Sequence, residues 1–233
     1  DSLMRVQAAI FHALNQSGTA LEKEALFNML SRRLGVGLEV LAQALDAEIA
    51  DKTVVMEGTK LLLGRIRELE KKSAKKIKAL SQGDGAWPAI DTDKALGWAE
   101  NKLAVRLNAE QRQAVQMVLG SKVSALNVDP GVDTGPILKN LELILKAKGV
   151  TIKLCAPTKA GAKQQSDETG LEVSSVLKTL EWTAKTQKFK RTARKSLDCQ
   201  LLIVSDAHLL EQKLFSALLD SISKETAVLF LND

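Results

Sequence analysis

The chain has 233 residues, 45% hydrophobic and 26% charged, with a formal net charge of +5; this excludes a disordered or collagen-like chain and suits one large core or two small domains. Aromatic residues make up only 3%, with no Tyr, so repeated stacking platforms are excluded and Leu, Ala, Val and Ile must build the core. Two cysteines, Cys155 and Cys199, and two histidines, His12 and His208, supply no zinc-finger or multi-histidine ligand set; they point to a reduced, cytoplasmic setting without a bound metal.

From the amino end, Leu3, Val6, Ile10 and Leu14 recur at helical spacing, Gly18 and Thr19 interrupt, 22–34 resumes the pattern, and 38–49 follows Gly35 and Gly37. Three short helices are predicted. The run KTVVMEGTKLLL (52–63) reads as a two-stranded hairpin with Glu57-Gly58 at its turn, which completes a helical, winged-helix-like module. Residues 65–80 form a charged helix with a sparse apolar face of Ile66, Leu69, Ile77 and Leu80, and its lysines between 71 and 78 read as a solvated face. Gly83, Gly85 and Pro88 mark 81–88 as a linker, and 92–103 is a further helix. The amino-terminal module is assigned to 1–105 and a second domain to 106–233.

In the second domain Asn108 and Gln111 form a capping pattern at the start of a helix over 107–119. Apolar runs at 123–128, 151–156, 201–204 and 227–231 alternate with helical patterns at 136–148, 160–165, 173–182 and 211–222. Strand, turn and helix in alternation predict an α/β domain with a parallel sheet, whose ligands sit at the carboxyl ends of the strands. Residues 138–199 hold 13 Lys/Arg against 6 Asp/Glu, including Lys185, Lys188, Lys190, Arg191, Arg194 and Lys195, a candidate phosphate-facing strip. Trp182 is expected to anchor the 173–182 helix in the core, and the two cysteines are expected to be buried. No run approaches the roughly 18 apolar residues of a membrane span, so membrane insertion is not expected. The start at Asp1 and the end directly after an apolar run read as a piece of a longer parent with flanking domains.

The segments LNAEQRQAV (107–115), VSALNVDPGVDTGPIL (123–138), CAPTKAGAKQQSDETG (155–170), SSVLKTLEW (174–182), LLIVSDAHLL (201–210) and VLFLND (228–233) resemble, in order and spacing, the first motor domain of RecD-like superfamily 1 DNA helicases. That family includes the helicase parts of TraI-type conjugative relaxases. The resemblance implies a RecA-like sheet domain over 106–233 and a surface for single-stranded DNA. In the family, residues matching Pro157, Thr158 and Lys159 line the single-strand track, and Lys163 follows on the helix. Lys185, Lys188, Arg191 and Arg194 offer a second, basic surface.

At the nucleotide-binding motifs the chain departs from the family pattern. A P-loop, G-x-x-x-x-G-K-[ST], uses glycines to bring backbone N–H groups around the phosphates, a lysine for charge and a hydroxyl for magnesium. Aligned without gaps on Pro130-Gly131, the loop reads Val128, Asp129, Pro130, Gly131, Val132, Asp133, Thr134 and Gly135. Val128 and Asp133 replace the framing glycines, Thr134 the lysine and Gly135 the hydroxyl, and Asp133 adds a carboxylate where a triphosphate would sit. The acidic pair that would hold magnesium is Ser205-Asp206. Ser205, Asp206 and His208 are too close in sequence to form a nucleophilic relay. Gln111 aligns with the family's adenine-reading glutamine, although helix capping also explains it. No catalytic residue and no cofactor are therefore expected. The resulting expectation is a non-catalytic, vestigial helicase domain of a conjugative relaxase-helicase that binds single-stranded DNA during plasmid transfer. The alternatives are a docking module recognised by a secretion channel or coupling protein, and an atypical ATP-dependent helicase fragment.

Overall fold

The computed structural model describes residues 2–83, 85–129 and 131–232. They form two compact units, Asp1–Ala74 with Glu211–Ser216, and Lys75–Leu210 with Ala217–Asp233.

The first unit runs α1 (Ser2–Ser17), β1 (Leu21–Glu22), α2 (Lys23–Leu34), α3 (Leu38–Ala50), β2 (Val54–Glu57), β3 (Lys60–Leu63) and the start of α4 (Gly64–Ser81). Val6, Ile10 and Leu14, spaced by four, place one face of α1 against Leu26 and Leu30 of α2 and Leu41 and Leu45 of α3. The strands form an antiparallel sheet in the order β1-β3-β2, and Val54, Leu61 and Leu63 turn into the same core. Glu57 pairs with Lys60, so the hairpin loop is Gly58-Thr59, one residue later than the sequence suggests. Gly64 is needed where β3 turns into α4: a Cβ there would lie 2.2 Å from the Lys52 carbonyl oxygen. The guanidinium of Arg65 bonds Asn15 and stands over Phe11, which fixes the first turn of α4 on α1.

The second unit takes in α4 from Lys75, then α5 (Thr92–Leu103), α6 (Ala109–Gly120), β4 (Val123–Asn127), α7 (Gly135–Ala147), β5 (Ile152–Ala156), α8 (Lys159–Thr169), β6 (Val173–Ser175), α9 (Val176–Thr179), β7 (Trp182–Thr183), β8 (Lys188–Phe189), β9 (Leu201–Val204), the part of α10 (Gln212–Asp220) from Ala217, and β10 (Ala227–Asn232). A short 3-10 turn, Ala207–Leu209, follows β9. Five strands form a sheet in the order β4-β10-β9-β5-β6, with every neighbouring pair parallel. Every residue of β9 is buried, as are the first five of β10, which explains their uninterrupted apolar sequences: a central parallel strand is covered on both faces. On one face the sheet packs with Leu138, Leu141 and Leu145 of α7 and Val115 and Val118 of α6.

The helix expected over 173–182 is not formed. Val173 instead pairs with Leu154 as part of β6, and Ser175 caps the one-turn α9 by accepting from the Lys178 N–H at 3.3 Å. Glu181, at φ 52, ends it. Trp182 opens a small antiparallel hairpin with Phe189, is 39% exposed, and packs on the Phe189 ring with centroids 4.8 Å apart. It therefore anchors a surface hairpin and not a core helix.

Candidate functional site

The carboxyl ends of β4, β10, β9 and β5 bring together the segments singled out above. After β4, the Val128 N–H donates to the Asn232 carbonyl at 2.8 Å, and the Val132 N–H donates to the Asp129 carbonyl at 3.1 Å. Gly131 sits at φ +86, and Pro130 lies outside the described residues. The loop then folds back on itself, with Asp133 Oδ1 accepting from the Gly135 N–H at 2.8 Å. An orphan donor at the amino end of α7, the kind of group a P-loop offers to phosphate, is thus bonded by the chain's own carboxylate. Gly135 permits this approach: a Cβ there would lie 2.9 Å from Asp133 Oδ1, so a serine or threonine would displace the carboxylate. Thr134 is buried, and its carbonyl accepts the Leu138 N–H.

Ser205 and Asp206 follow β9. Ser205 is fully buried; its N–H donates to the Cys155 carbonyl, and among the described residues its Oγ finds no partner. Asp206 takes the left-handed conformation at φ 48. Its Oδ2 would lie 3.7 Å from a Cβ built on Gly161, which places a carboxylate beside the first turn of α8. In that turn Thr158 Oγ1 accepts from the Gly161 N–H at 3.0 Å, so the threonine caps its own helix. Pro157 is half-buried, and Lys159 and Lys163, one turn apart, are exposed. The structure thus gathers Thr158, Lys159, Asp206 and the Asp133 loop at one edge of the sheet.

The basic cluster lies on the β7–β8 hairpin and the segment after it. Lys185, Lys188 and Arg194 are exposed, but Arg191 is engaged within the chain: its Nε donates to Glu181 Oε1 at 2.6 Å and its Nη1 to the Ser196 carbonyl at 3.0 Å. The Arg191 hydrogen bond holds the Glu181 carboxyl below its ordinary range. Gln111 is also engaged, in a capping box: its Oε1 accepts the Asn108 N–H and its own N–H donates to Asn108 Oδ1.

Sequence reasoning missed an amide bridge at the same edge, where Asn232 Nδ2 donates to Asn127 Oδ1 at 2.7 Å and Asn232 Oδ1 accepts from the His208 N–H. The matched register of two apolar strands, each ending in Asn, is the signal that would have found it. Among the described residues no group of three His, Cys, Asp or Glu side chains is arranged to hold a metal ion, and no helix is long and apolar enough to cross a membrane.

The family model described as an AAA domain matches residues 106–233, the stretch that holds this edge of the sheet. Over 185 residues the chain is 26% identical to the ATP-dependent RecD2 DNA helicase of Deinococcus radiodurans, an alignment that covers 79% of this chain and 25% of that protein. The chain therefore spans about a quarter of that relative's length, and the similarity between the two is distant.

Proposed function

The chain belongs to the AAA domain family through residues 106–233, and from that premise we propose that it is a helicase-derived domain that no longer turns over ATP and that holds single-stranded DNA. The observation that carries this proposal is the contrast between two helix starts. At α7 the loop contains no lysine, and Asp133 bonds the Gly135 N–H, which sets a negative charge where phosphate would approach. At α8 the threonine-lysine start and Lys163 are kept, and both lysines point their charge to solvent from an exposed face. Charge-driven strand binding needs only such a surface, whereas phosphoryl transfer needs every member of its constellation. The resemblance to TraI-type relaxases supports a place in a conjugative relaxase-helicase, in the cytoplasm, acting on the transferred strand. The α1-β1-α2-α3-β2-β3 order of the first unit supports a winged-helix-like accessory module.

Fluorescence anisotropy with labelled oligonucleotides over a salt series tests the strand surface. Affinity should fall with salt at a log-log slope of about −0.7 per phosphate neutralised, and Lys159→Ala/Lys163→Ala should weaken binding and flatten that slope by about 1.4. A phosphate-release assay should stay at background with and without single-stranded DNA. Turnover that disappears in Asp206→Ala would overturn the non-catalytic half of the proposal. Absence of salt-sensitive binding would overturn the other half and favour a protein-docking module that meets a coupling protein.

A further inference from the structure

α5 carries Lys94, Trp98 and Lys102 at i, i+4 and i+8, which stacks them along one side of the helix about 6 Å apart. The other side, with Leu96, Ala99 and Glu100, is buried. Trp98 is 43% exposed, and its ring forms part of a cavity of about 390 Å³ whose apolar lining includes Ile90, Ile144 and Ala147. Lys94 and Lys148 line the same cavity, and Lys102 Nζ stands 5.2 Å from the Trp98 ring centroid. Among the described residues that line it, Asp91 is the one carboxylate, paired to Lys94 at 3.0 Å, against the ammonium groups of Lys94 and Lys148.

A large, partly exposed ring beside an apolar cleft, with Lys94 one turn before it and the Lys102 ammonium over it, has the chemistry of a base-stacking site flanked by phosphate contacts, a base displacing the Lys102 ammonium onto its own phosphate. The cations are strung along a helix and do not converge on one point, which favours successive phosphates of a strand over the phosphate group of a free nucleotide. We propose that this face of α5 stacks one base of single-stranded DNA on Trp98, with the neighbouring phosphates held by Lys94 and Lys102.

This contact is separate from the α8 surface. α7 leaves the carboxyl end of β4 and returns to the start of β5, so Ala147 and Lys148 lie at the amino edge of the parallel sheet, whereas α8 begins at the carboxyl edge.

Tryptophan fluorescence of the full chain, titrated with oligothymidylate and with thymidine monophosphate, tests the site. The oligonucleotide should quench saturably, and Trp98→Ala should remove most of that quench and weaken binding roughly 5- to 100-fold, as expected for one stacked base. Trp98→Phe should retain most of the affinity, and Lys94→Ala/Lys102→Ala should flatten the salt slope by about 1.4 while leaving the circular dichroism spectrum unchanged. In Lys159→Ala/Lys163→Ala the Trp98-dependent quench should persist, which separates this site from the α8 surface. An oligonucleotide quench that is missing, that is unchanged in Trp98→Ala, or that disappears with the α8 lysines would overturn the proposal. Equal quenching by the mononucleotide at the same concentration would also overturn it.

Discussion

Glu100 is 2% exposed, yet it accepts two hydrogen bonds, from the Leu107 N–H at 3.1 Å and from Arg112 Nη1 at 2.7 Å. A carboxylate buried this deeply is tolerated only while both partners hold, and it ties the end of α5 to the start of α6 across the intervening loop. Glu100→Ala leaves the Leu107 N–H and the inner side of Arg112 unpaired and should destabilise the chain by about 3 kcal/mol. Glu100→Gln keeps acceptor capacity and should cost about half of that; urea melts at neutral pH would order the two variants. The cysteines make a second residue-level case. Burial pushes the Cys155 thiol up to about 12 and the Cys199 thiol up to about 11, from an ordinary 9.0. A raised thiol value favours the protonated form in the fold, so stability is intact below pH 9 and falls as pH climbs from there toward these values. The limiting slope is about 1.4 kcal/mol per pH unit per thiol. Urea melts on either side of pH 9 should show this loss, and Cys155→Ala should make the decline shallower. A decline of equal slope in that variant would remove the thiol from the account.

The β7–β8 hairpin is an element with little local support: two-residue strands, a four-residue loop without Gly or Pro, and one ring pair. Arg191 closes it from outside through Glu181 and the Ser196 carbonyl. Arg191→Ala should therefore loosen the hairpin and shift Trp182 fluorescence to the red while leaving the global melting temperature nearly unchanged; a large drop in that temperature would place Arg191 in the core's support. This hairpin also marks where sequence pattern stopped being informative. Val173, Val176, Leu177 and Leu180 satisfy helical spacing, and only the parallel partner Leu154, distant in the chain, turns the first of them into strand. Elements with strong local signals were readable: 92–103 coincides with α5, and the Asn108–Gln111 cap forms as its spacing suggests. At the candidate site the residue types of the Asp133 loop and the Thr158-Lys159 start were visible in sequence. The side-chain assignments were not, because the bond from Gly135 to Asp133 depends on how the loop after β4 turns, and the placement of Asp206 beside Gly161 depends on sheet order. Arg191 stands out in sequence as part of a basic cluster, whereas its bond to Glu181 lies across a hairpin that has no local signature.

At the scale of the whole chain, the segment between α4 and α5 is the expected site of first cleavage. Ser81, Gln82, Gly83 and Gly85 are exposed, whereas from Ala86 onward the segment is held, with the Trp87 Nε1–H bonded to the Leu119 carbonyl and the Ala86 carbonyl accepting from Gln200. Brief subtilisin digestion should cut within 81–85, and a first cut inside 123–204 would contradict this. The sheet order has a further consequence, for synthesis. β10 is the last of the five strands to be made, yet it lies between β4 and β9 and is the only strand in the sheet to which β4 is bonded. At roughly 5–20 residues per second, a ribosome finishes β4 about 5–20 s before it finishes β10. β4 offers its backbone to water or to a chaperone throughout that interval, while β5, β6 and β9, all made before β10, can assemble as a parallel triplet only once β9 is finished, late in it. The strand that carries the Asp133 loop is thus the first of the sheet to be translated and the last to be zipped in.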